Sequence, residues 1–264
     1  MPETLVSSET ALAHFIERLQ SSEMEWDPYP HYYLDGILPD DYYGLLLKHL
    51  PESECYENLF ETTDLKLDHF RHRDQRNLND GWTGMLSEDM KQFWLSFNAW
   101  FLGNELADAV LESFAAPMQE RFGPKGSWPE PSVEAQLIRH RAGYFLGPHS
   151  DLYTKLIVLL IYLAPDYSST HLGTSLYRPK QEGFSCADSR HYPFEDFITV
   201  KTVPYKPNSL LAFMRSDISF HGLAPLSDSD LISGPRNLIQ YVLHDKQVRL
   251  KQLELRRSAA IQQT

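Results

Sequence analysis

Nine consecutive residues, Lys155 to Leu163, constrain this chain more than any other stretch. After the lysine every position is apolar or aromatic, with almost no alternation. A strand with one wet face alternates apolar and polar residues, whereas a strand buried on both faces reads as a continuous apolar run. The longest apolar stretch, Leu156 to Ala164, is far too short to cross a bilayer, which takes about 20 residues. The fold therefore has to supply a layer of structure on each side of this strand. At 264 residues the chain is long enough to do so within one large domain.

The pattern changes near Gly123-Pro124-Lys125-Gly126. Before it, the spacing is mostly helical. Ser8 to Gln20 places Leu12, Phe15, Ile16 and Leu19 on one face. Tyr32 to Leu34 suggests a short strand, and Pro39-Asp40-Asp41 opens a helix over Tyr42 to Leu50 that Pro51 stops. Ser87 is placed to cap a long helical region reaching Phe122, which Gly103 divides in two. Beyond the change come short strand-like runs: Val133 to Arg141, Lys155 to Leu163, Ser175 to Arg178, Ile198 to Val203, Leu210 to Arg215 and Asn237 to His244. Strands at that spacing predict a sandwich or barrel, with the N-terminal helices packed on it as a layer. The expected organisation is a single domain over 1–264: a mostly helical supporting region (1–126), a β core (127–245) and a charged tail or helix (246–264). In the tail, Val248, Leu250, Leu253 and Leu255 could pack on the core or on a second subunit.

Charge narrows the partners. The formal net charge is −12, from 36 acidic and 24 basic residues, which argues against nucleic acid and against an anionic membrane surface while leaving room for a local basic pocket. Cys55 and Cys186 lie far apart and have no metal-ligand spacing, as expected of thiols in a reducing cytosol. Met1-Pro2-Glu3-Thr4 lacks the basic start and apolar run of a signal peptide. A soluble, cytoplasmic protein is the expectation.

The chemistry centres on Gly147-Pro148-His149-Ser150-Asp151. Residues two apart in extended chain point to the same side, so His149 and Asp151 can bind one ion together. The spacing alone is weak, for His72-Arg73-Asp74 repeats it within a charged run, Arg71 to Arg76, that no apolar strand follows. That copy is expected to be a solvated loop. The His149 copy leads into the apolar strand at Lys155, and Phe220-His221-Gly222 supplies a third ligand after the strand Ser209 to Phe213. Two imidazoles and a carboxylate on one octahedral face suit iron(II) and leave three positions open. Zinc can use the same three residues, and a non-redox metal or small-ligand binding protein is a further alternative. Arg236 leads an otherwise apolar strand and needs an anionic partner. That partner is either an acidic neighbour or the remote carboxylate of a keto acid chelating the metal.

These parts, in this order, resemble the prolyl 4-hydroxylase-like branch of the 2-oxoglutarate/iron(II) dioxygenases. The similar segments are Gln136 to Ala164 and the block from Val203-Pro204 through Phe213, His221-Gly222 and Arg236, all within roughly Val133 to His244. The resemblance implies an α+β fold whose mainly β core is a double-stranded β-helix (jelly roll). It also implies iron(II) on His149, Asp151 and His221, with Arg236 and Tyr162 on the distal carboxylate of 2-oxoglutarate. This chain has His140 where many relatives have tyrosine, near the metal-binding end of the co-substrate. It reads Leu172 to Tyr177 where many have a Gly-Gly-Glu-Leu-like segment, and Ser227 to Asp230 lengthen the gap between His221 and Arg236. The implied activity uses iron(II), 2-oxoglutarate and O2, with ascorbate as reductant. It hydroxylates an unactivated C–H bond of a small-molecule or amino-acid/peptidyl substrate and releases succinate and CO2. Related halogenases lack the carboxylate that Asp151 provides. Gln136, Arg215 and Gln240 are candidate substrate contacts, Gln240 sharing a face with Arg236 by alternation. Lys155 could bind an anionic substrate or pair at the rim, and the loop Gly183 to Asp196 is a candidate lid.

Overall fold

The structure, a computed structural model, describes residues 7–63 and 66–261; Met1 to Thr4 lie outside them. The first helix, α1 (Ser8–Gln20), starts where the Ser7 hydroxyl accepts from the Thr10 amide at 3.1 Å. Then come β1 (His31–Asp35) and α2 (Asp40–Lys48), whose Asp40 and Asp41 sit in the first turn, where the helix dipole favours acids. β2 (Glu57–Asn58), α3 (Leu59–Thr62) and β3 (Arg73–Asn77) follow. The aromatic region after Ser87 forms three helices rather than the expected two: α4 (Glu88–Phe101), α5 (Asn104–Ser113) and α6 (Ala115–Phe122). Gly103 makes the first break, and a Cβ there would meet the Trp100 carbonyl oxygen at 3.1 Å. The second break, at Phe114, follows from Pro117. A proline ring inside a helix clashes with the carbonyl four residues back, here Ser113, so α5 has to end there.

The β core consists of β4 (Pro131–His140), β5 (Leu146–His149), β6 (Lys155–Leu163), β7 (Thr174–Pro179), β8 (Phe197–Val203), β9 (Pro207–Met214), β10 (His221–Leu223) and β11 (Arg236–Asp245). They form two facing antiparallel sheets that hydrogen bonding does not close into a barrel. The larger has the order β1-β9-β6-β11-β4-β3-β2, the smaller β5-β10-β7-β8. Successive strands alternate between the sheets except at the β7–β8 hairpin, which is the double-stranded β-helix (jelly-roll) winding. β5 and β10 had no sequence signal, being three or four residues long and carrying Gly147-Pro148 and Gly222.

Strand β6 lies between β9 and β11 and has the two covers its sequence demands. Ile157, Leu159 and Ile161 face the helical layer, packing in one cluster with Phe97, Phe101 and Tyr241. Val158, Leu160 and Tyr162 face the small sheet in a second cluster with Leu176 and Phe213.

The first 126 residues do more than support the core. β1 pairs with β9, and β3 pairs with β4, extending the large sheet at both ends. The segment His72-Arg73-Asp74, expected as a solvated loop, instead enters β3, where Arg73 stands opposite His140. After β11 the chain forms α7 (Lys246–Ile261), which docks on this chain's own core. The Lys246 amide donates to the Glu130 carbonyl at 3.0 Å, and Arg249 Nη2 to Glu134 Oε2 at 2.6 Å. Ser227 to Asp230, expected as a loop, enters a short 3-10 turn closed by a reciprocal Ser227–Asp230 cap. No helix among the described residues is long and apolar enough to cross a membrane.

Leu159 is wholly buried against the helical layer, so Leu159→Ala should destabilise the fold by about 2–5 kcal/mol. Urea unfolding should show a lower midpoint at unchanged slope; an unchanged midpoint would mean the helical layer is not seated on β6.

Candidate metal centre and anion pocket

His149 ends β5 and His221 begins β10, and the two are direct cross-strand partners. Pairing at that point brings their rings to 4.3 Å between centroids. The approach requires Gly222, because a Cβ there would lie 2.4 Å from the Leu146 carbonyl oxygen. Each histidine shares Nδ1 with a backbone carbonyl, His149 with Gly147 at 3.1 Å and His221 with Ser219 at 3.0 Å. A carbonyl can only accept, so Nδ1 carries the proton and Nε2 is left with a free lone pair, the tautomer a metal ligand needs.

Asp151 lies two residues past the end of β5, just before the turn at Tyr153–Thr154 that leads into β6. Ser150 ties this segment down, its Oγ–H shared between the carbonyls of Cys186 and Asp188 at 2.6 and 3.0 Å. The ligand atoms of His149, Asp151 and His221 all lie within 4.8 Å of one another, and all three residues are buried. Among the described residues this is the only such cluster.

Lys155, the first residue of β6, donates from Nζ to Asp151 Oδ1 at 2.6 Å. Oδ2 is buried without a hydrogen-bond partner and lies 3.6 Å from His221 Nε2. One carboxylate oxygen is thus held by a cation and the other left free beside the imidazoles. Burial alone would raise the Asp151 carboxyl, but Lys155 and the His221 and His149 rings hold it well below the usual carboxylate range. Burial pushes both imidazoles down, His149 further because His221 adds to the effect. The set is therefore one carboxylate and two neutral rings at neutral pH, which fits a divalent ion.

A cavity of about 230 Å³ opens beside this cluster, and Arg236, His140, Thr174 and Tyr144 line it with the three candidate ligands. Arg236 is 2% exposed and forms no ion pair with a carboxylate among the described residues. It donates from Nε to the Leu172 carbonyl at 2.7 Å, from Nη1 to His140 Nδ1 at 3.1 Å and from Nη2 to Thr174 Oγ1 at 3.3 Å. Its guanidinium sits over the rings of Tyr162 and Tyr205 at 5.2 and 5.1 Å. His140 stacks on Tyr144 at 4.0 Å, and burial, then Arg236, then Arg73 push its imidazole far down. His140 Nε2 and the Tyr144 hydroxyl are buried without partners. A buried cation and orphaned polar atoms around one cavity fit a polar anion, because an unpaired buried charge is costly.

The other sequence candidates fall in different places. Tyr162 donates its hydroxyl to Thr174 Oγ1 at 2.7 Å, so it reaches the cavity through Thr174. Gln240 lines the cavity, while Gln136, opposite it on β4, is engaged by Arg73 and Glu134. Arg215 turns away from the cavity, its guanidinium occupied by the Asp151 carbonyl (2.9 Å), Asp217 (2.6 Å) and the Ala187 carbonyl (2.8 Å), so it braces the segment that carries Asp151. The loop Gly183 to Asp196 lies over the metal cluster. The Tyr192 amide bonds to the Pro148 carbonyl, and the His191 ring stands 5.0 Å from His149. Burial, aided by His69, pushes His191 down to about 4. Thr174, Tyr144 and Arg73 had not been singled out as site residues. Thr174 lies in the segment whose departure from relatives was visible, whereas Arg73 was hidden in the chance His-x-Asp repeat.

Solved structures similar to this one are prolyl-4-hydroxylases and 2-oxoglutarate/iron(II) oxygenases. One is a prolyl-4-hydroxylase from Pseudomonas putida, at 13% identity over 89% of this chain and 99% of that one, with a TM-score of 0.45. A prolyl 4-hydroxylase from Phytophthora capsici shares 15% identity over 94% of this chain and 68% of the other, with a TM-score of 0.49. A 2-oxoglutarate/iron(II) oxygenase-family oxidoreductase from Burkholderia pseudomallei shares 11% over 91% and 93%, with a TM-score of 0.44. The sequence matches no protein-family profile and no curated protein. At such scores these likenesses carry no weight for activity, which has to be judged from the side chains themselves.

Removing the cation from Asp151 should loosen the metal. Lys155→Met is expected to weaken cobalt(II) binding about 10- to 100-fold, the usual effect of losing a group that orients a ligand, and Asp151→Ala to abolish it, both read by oxygen-free visible titration. Equal affinity in Lys155→Met and wild type would show that the ion pair does not prepare the ligand.

Proposed function

We propose that this protein is an iron(II)- and 2-oxoglutarate-dependent oxygenase that hydroxylates an unactivated C–H bond. The observation that carries the reading is Arg236, a buried guanidinium with no carboxylate partner among the described residues, lining the same cavity as His149, Asp151 and His221. A plain metal-binding protein has no use for that cation. The zinc-hydrolase alternative likewise leaves Arg236 unexplained.

His149, Asp151 and His221 would hold iron(II) through the two Nε2 atoms and Oδ2, with coordination positions facing the cavity left open. Iron(II) with 2-oxoglutarate and O2 supplies the oxidation of a C–H bond to an alcohol, coupled to decarboxylation of the keto acid to succinate and CO2. Arg236 would take the distal carboxylate through its planar fork. Thr174 Oγ1 already accepts from Tyr162 and Arg236, so its own proton is free to reach the same carboxylate. Thr174 is therefore the second donor, and Tyr162 positions it. Tyr144 and His140, which line the cavity and each keep a buried polar atom without a partner, would orient its metal-binding end, the role the resemblance implied for His140. The Gly183 to Asp196 loop, tied to the Asp151 segment through Ser150 and Arg215, would keep bulk water from the metal.

Ascorbate would serve as reductant, as in the enzymes the sequence resembles. The substrate is a small molecule or an amino-acid or peptidyl group, with Gln240 the best placed of the sequence candidates to touch it. The two buried, unpaired cysteines suit a cytoplasmic location.

Iron-dependent release of succinate from 2-oxoglutarate under air tests the proposal. Arg236→Gln should raise the half-saturating 2-oxoglutarate concentration roughly 30- to 150-fold, a loss of about 2–3 kcal/mol from a buried charge pair. Iron binding without any keto acid turnover would replace the oxygenase with the non-redox alternative.

A further inference from the structure

We infer that the substrate carries a carboxylate on an apolar body and that Arg73 binds it; the inference rests on the oxygenase reading above. Arg73 opens β3 opposite His140, which stands opposite Arg236 on β11. One row across three strands thus bears two arginines with a neutral histidine between them, and all three line the cavity. The two arginines are engaged differently. Arg236 is fixed by Leu172, His140 and Thr174. Arg73 runs along the sheet instead, its Nη2 donating to Gln136 Oε1 at 3.2 Å, which carries its guanidinium away from the Arg236 anchor.

No carboxylate pairs with Arg73 among the described residues, and its Nε is buried without a partner. The adjacent Asp74 lies on the other face of the strand, held by Arg141 at 2.8 Å and Asn58 at 2.8 Å. Gln240, opposite Gln136, lines the cavity and makes no side-chain hydrogen bond among the described residues.

Charge around the cavity points the same way. Asp151 is the one acid lining it, against Arg73, Lys155 and Arg236. Lys155 is committed to Asp151, and a co-substrate dicarboxylate would answer Arg236. A divalent ion adds two positive charges and the dicarboxylate two negative ones, so the loaded cavity stays positive and Arg73 remains unanswered. A single planar fork matches a carboxylate, with the Gln240 amide able to donate beside it. Leu59, Phe70, Ile138, Leu160 and Leu238 form apolar walls around this position. Leu59, Phe70 and Arg73 all precede the jelly roll, so the N-terminal region supplies substrate recognition as well as support.

Zinc(II)-loaded protein saturated with 2-oxoglutarate, titrated calorimetrically with hexanoate and with hexanamide, tests the inference. Hexanoate should bind at least about tenfold more tightly than hexanamide, and Arg73→Gln should erase that preference. In the same variant the affinity for 2-oxoglutarate should stay within about twofold, as expected for a separate site. The inference is overturned if wild type binds hexanoate no better than hexanamide, or if the preference survives in Arg73→Gln. It is also overturned if Arg73→Gln and Arg73→Lys, both shown to be folded by circular dichroism, lose 2-oxoglutarate, since Arg73 would then belong to the co-substrate anchor. Failure of wild type to bind 2-oxoglutarate counts against the oxygenase reading instead, and a hexanoate preference on the zinc protein that Arg73→Gln erases and Arg236→Gln keeps then still assigns the carboxylate to Arg73, whereas one that survives in Arg73→Gln overturns it.

Discussion

Strand β6 has to be covered on both faces, and the arrangement of the molecule around it follows from that need. One set of alternate residues requires the aromatic helices α4 and α5, and the other requires a second sheet. Packing the second sheet face to face leaves a gap of about 10 Å between backbones, to be filled by side chains or by a ligand. Leu160, Tyr162 and Phe213 fill part of it, and beside them the polar side chains of Arg236, His140, Thr174 and the candidate metal cluster leave a cavity. Strand β6 also begins with Lys155, which holds Asp151, and carries Tyr162, which holds Thr174. The strand that organises the core therefore touches both the candidate metal ligands and the candidate anion anchor.

Burial gives the site its chemistry. In a polar, exposed setting His149 and His221 would be partly protonated and Arg236 would be one solvated cation among many. Withdrawn from water, the imidazoles stay neutral with Nε2 free, and the guanidinium becomes a buried charge with no carboxylate partner among the described residues, a cost that a bound anion would offset. Lys155 prevents the same cost from falling on Asp151. The result is a cavity of positive character inside a protein of net charge −12, a local field opposite to the overall one.

Much of this was legible in the sequence because it depends on local patterns. The two-sided strand, the helix boundaries at Ser8 and Gln20, and the six longer β strands follow from periodicity and from turn residues. The three metal-ligand candidates stood out because two lay within five residues of one another before that strand. What escaped the sequence was set by long-range pairing. β5 and β10 are too short to show a period and exist only because they pair with each other and β10 in turn with β7. Arg73 looked solvated because its neighbours are charged; only its pairing with β4 turns it inward. Arg215 looked like a substrate contact because nothing local shows that Asp151, Asp217 and Ala187 converge on it. Pro117 was a local signal for the break at Phe114, masked by the apolar spacing that continues across it.

The central claim is that one cavity binds a metal ion and a dicarboxylate together, the first on His149, Asp151 and His221 and the second reaching to Arg236. Calorimetric titration of 2-oxoglutarate into the protein with and without manganese(II), in the absence of oxygen, tests this directly. The account predicts binding that the metal strengthens at least about tenfold, because one ligand then engages both ends of the cavity. Equal affinity with and without metal, or none in either case, would contradict it.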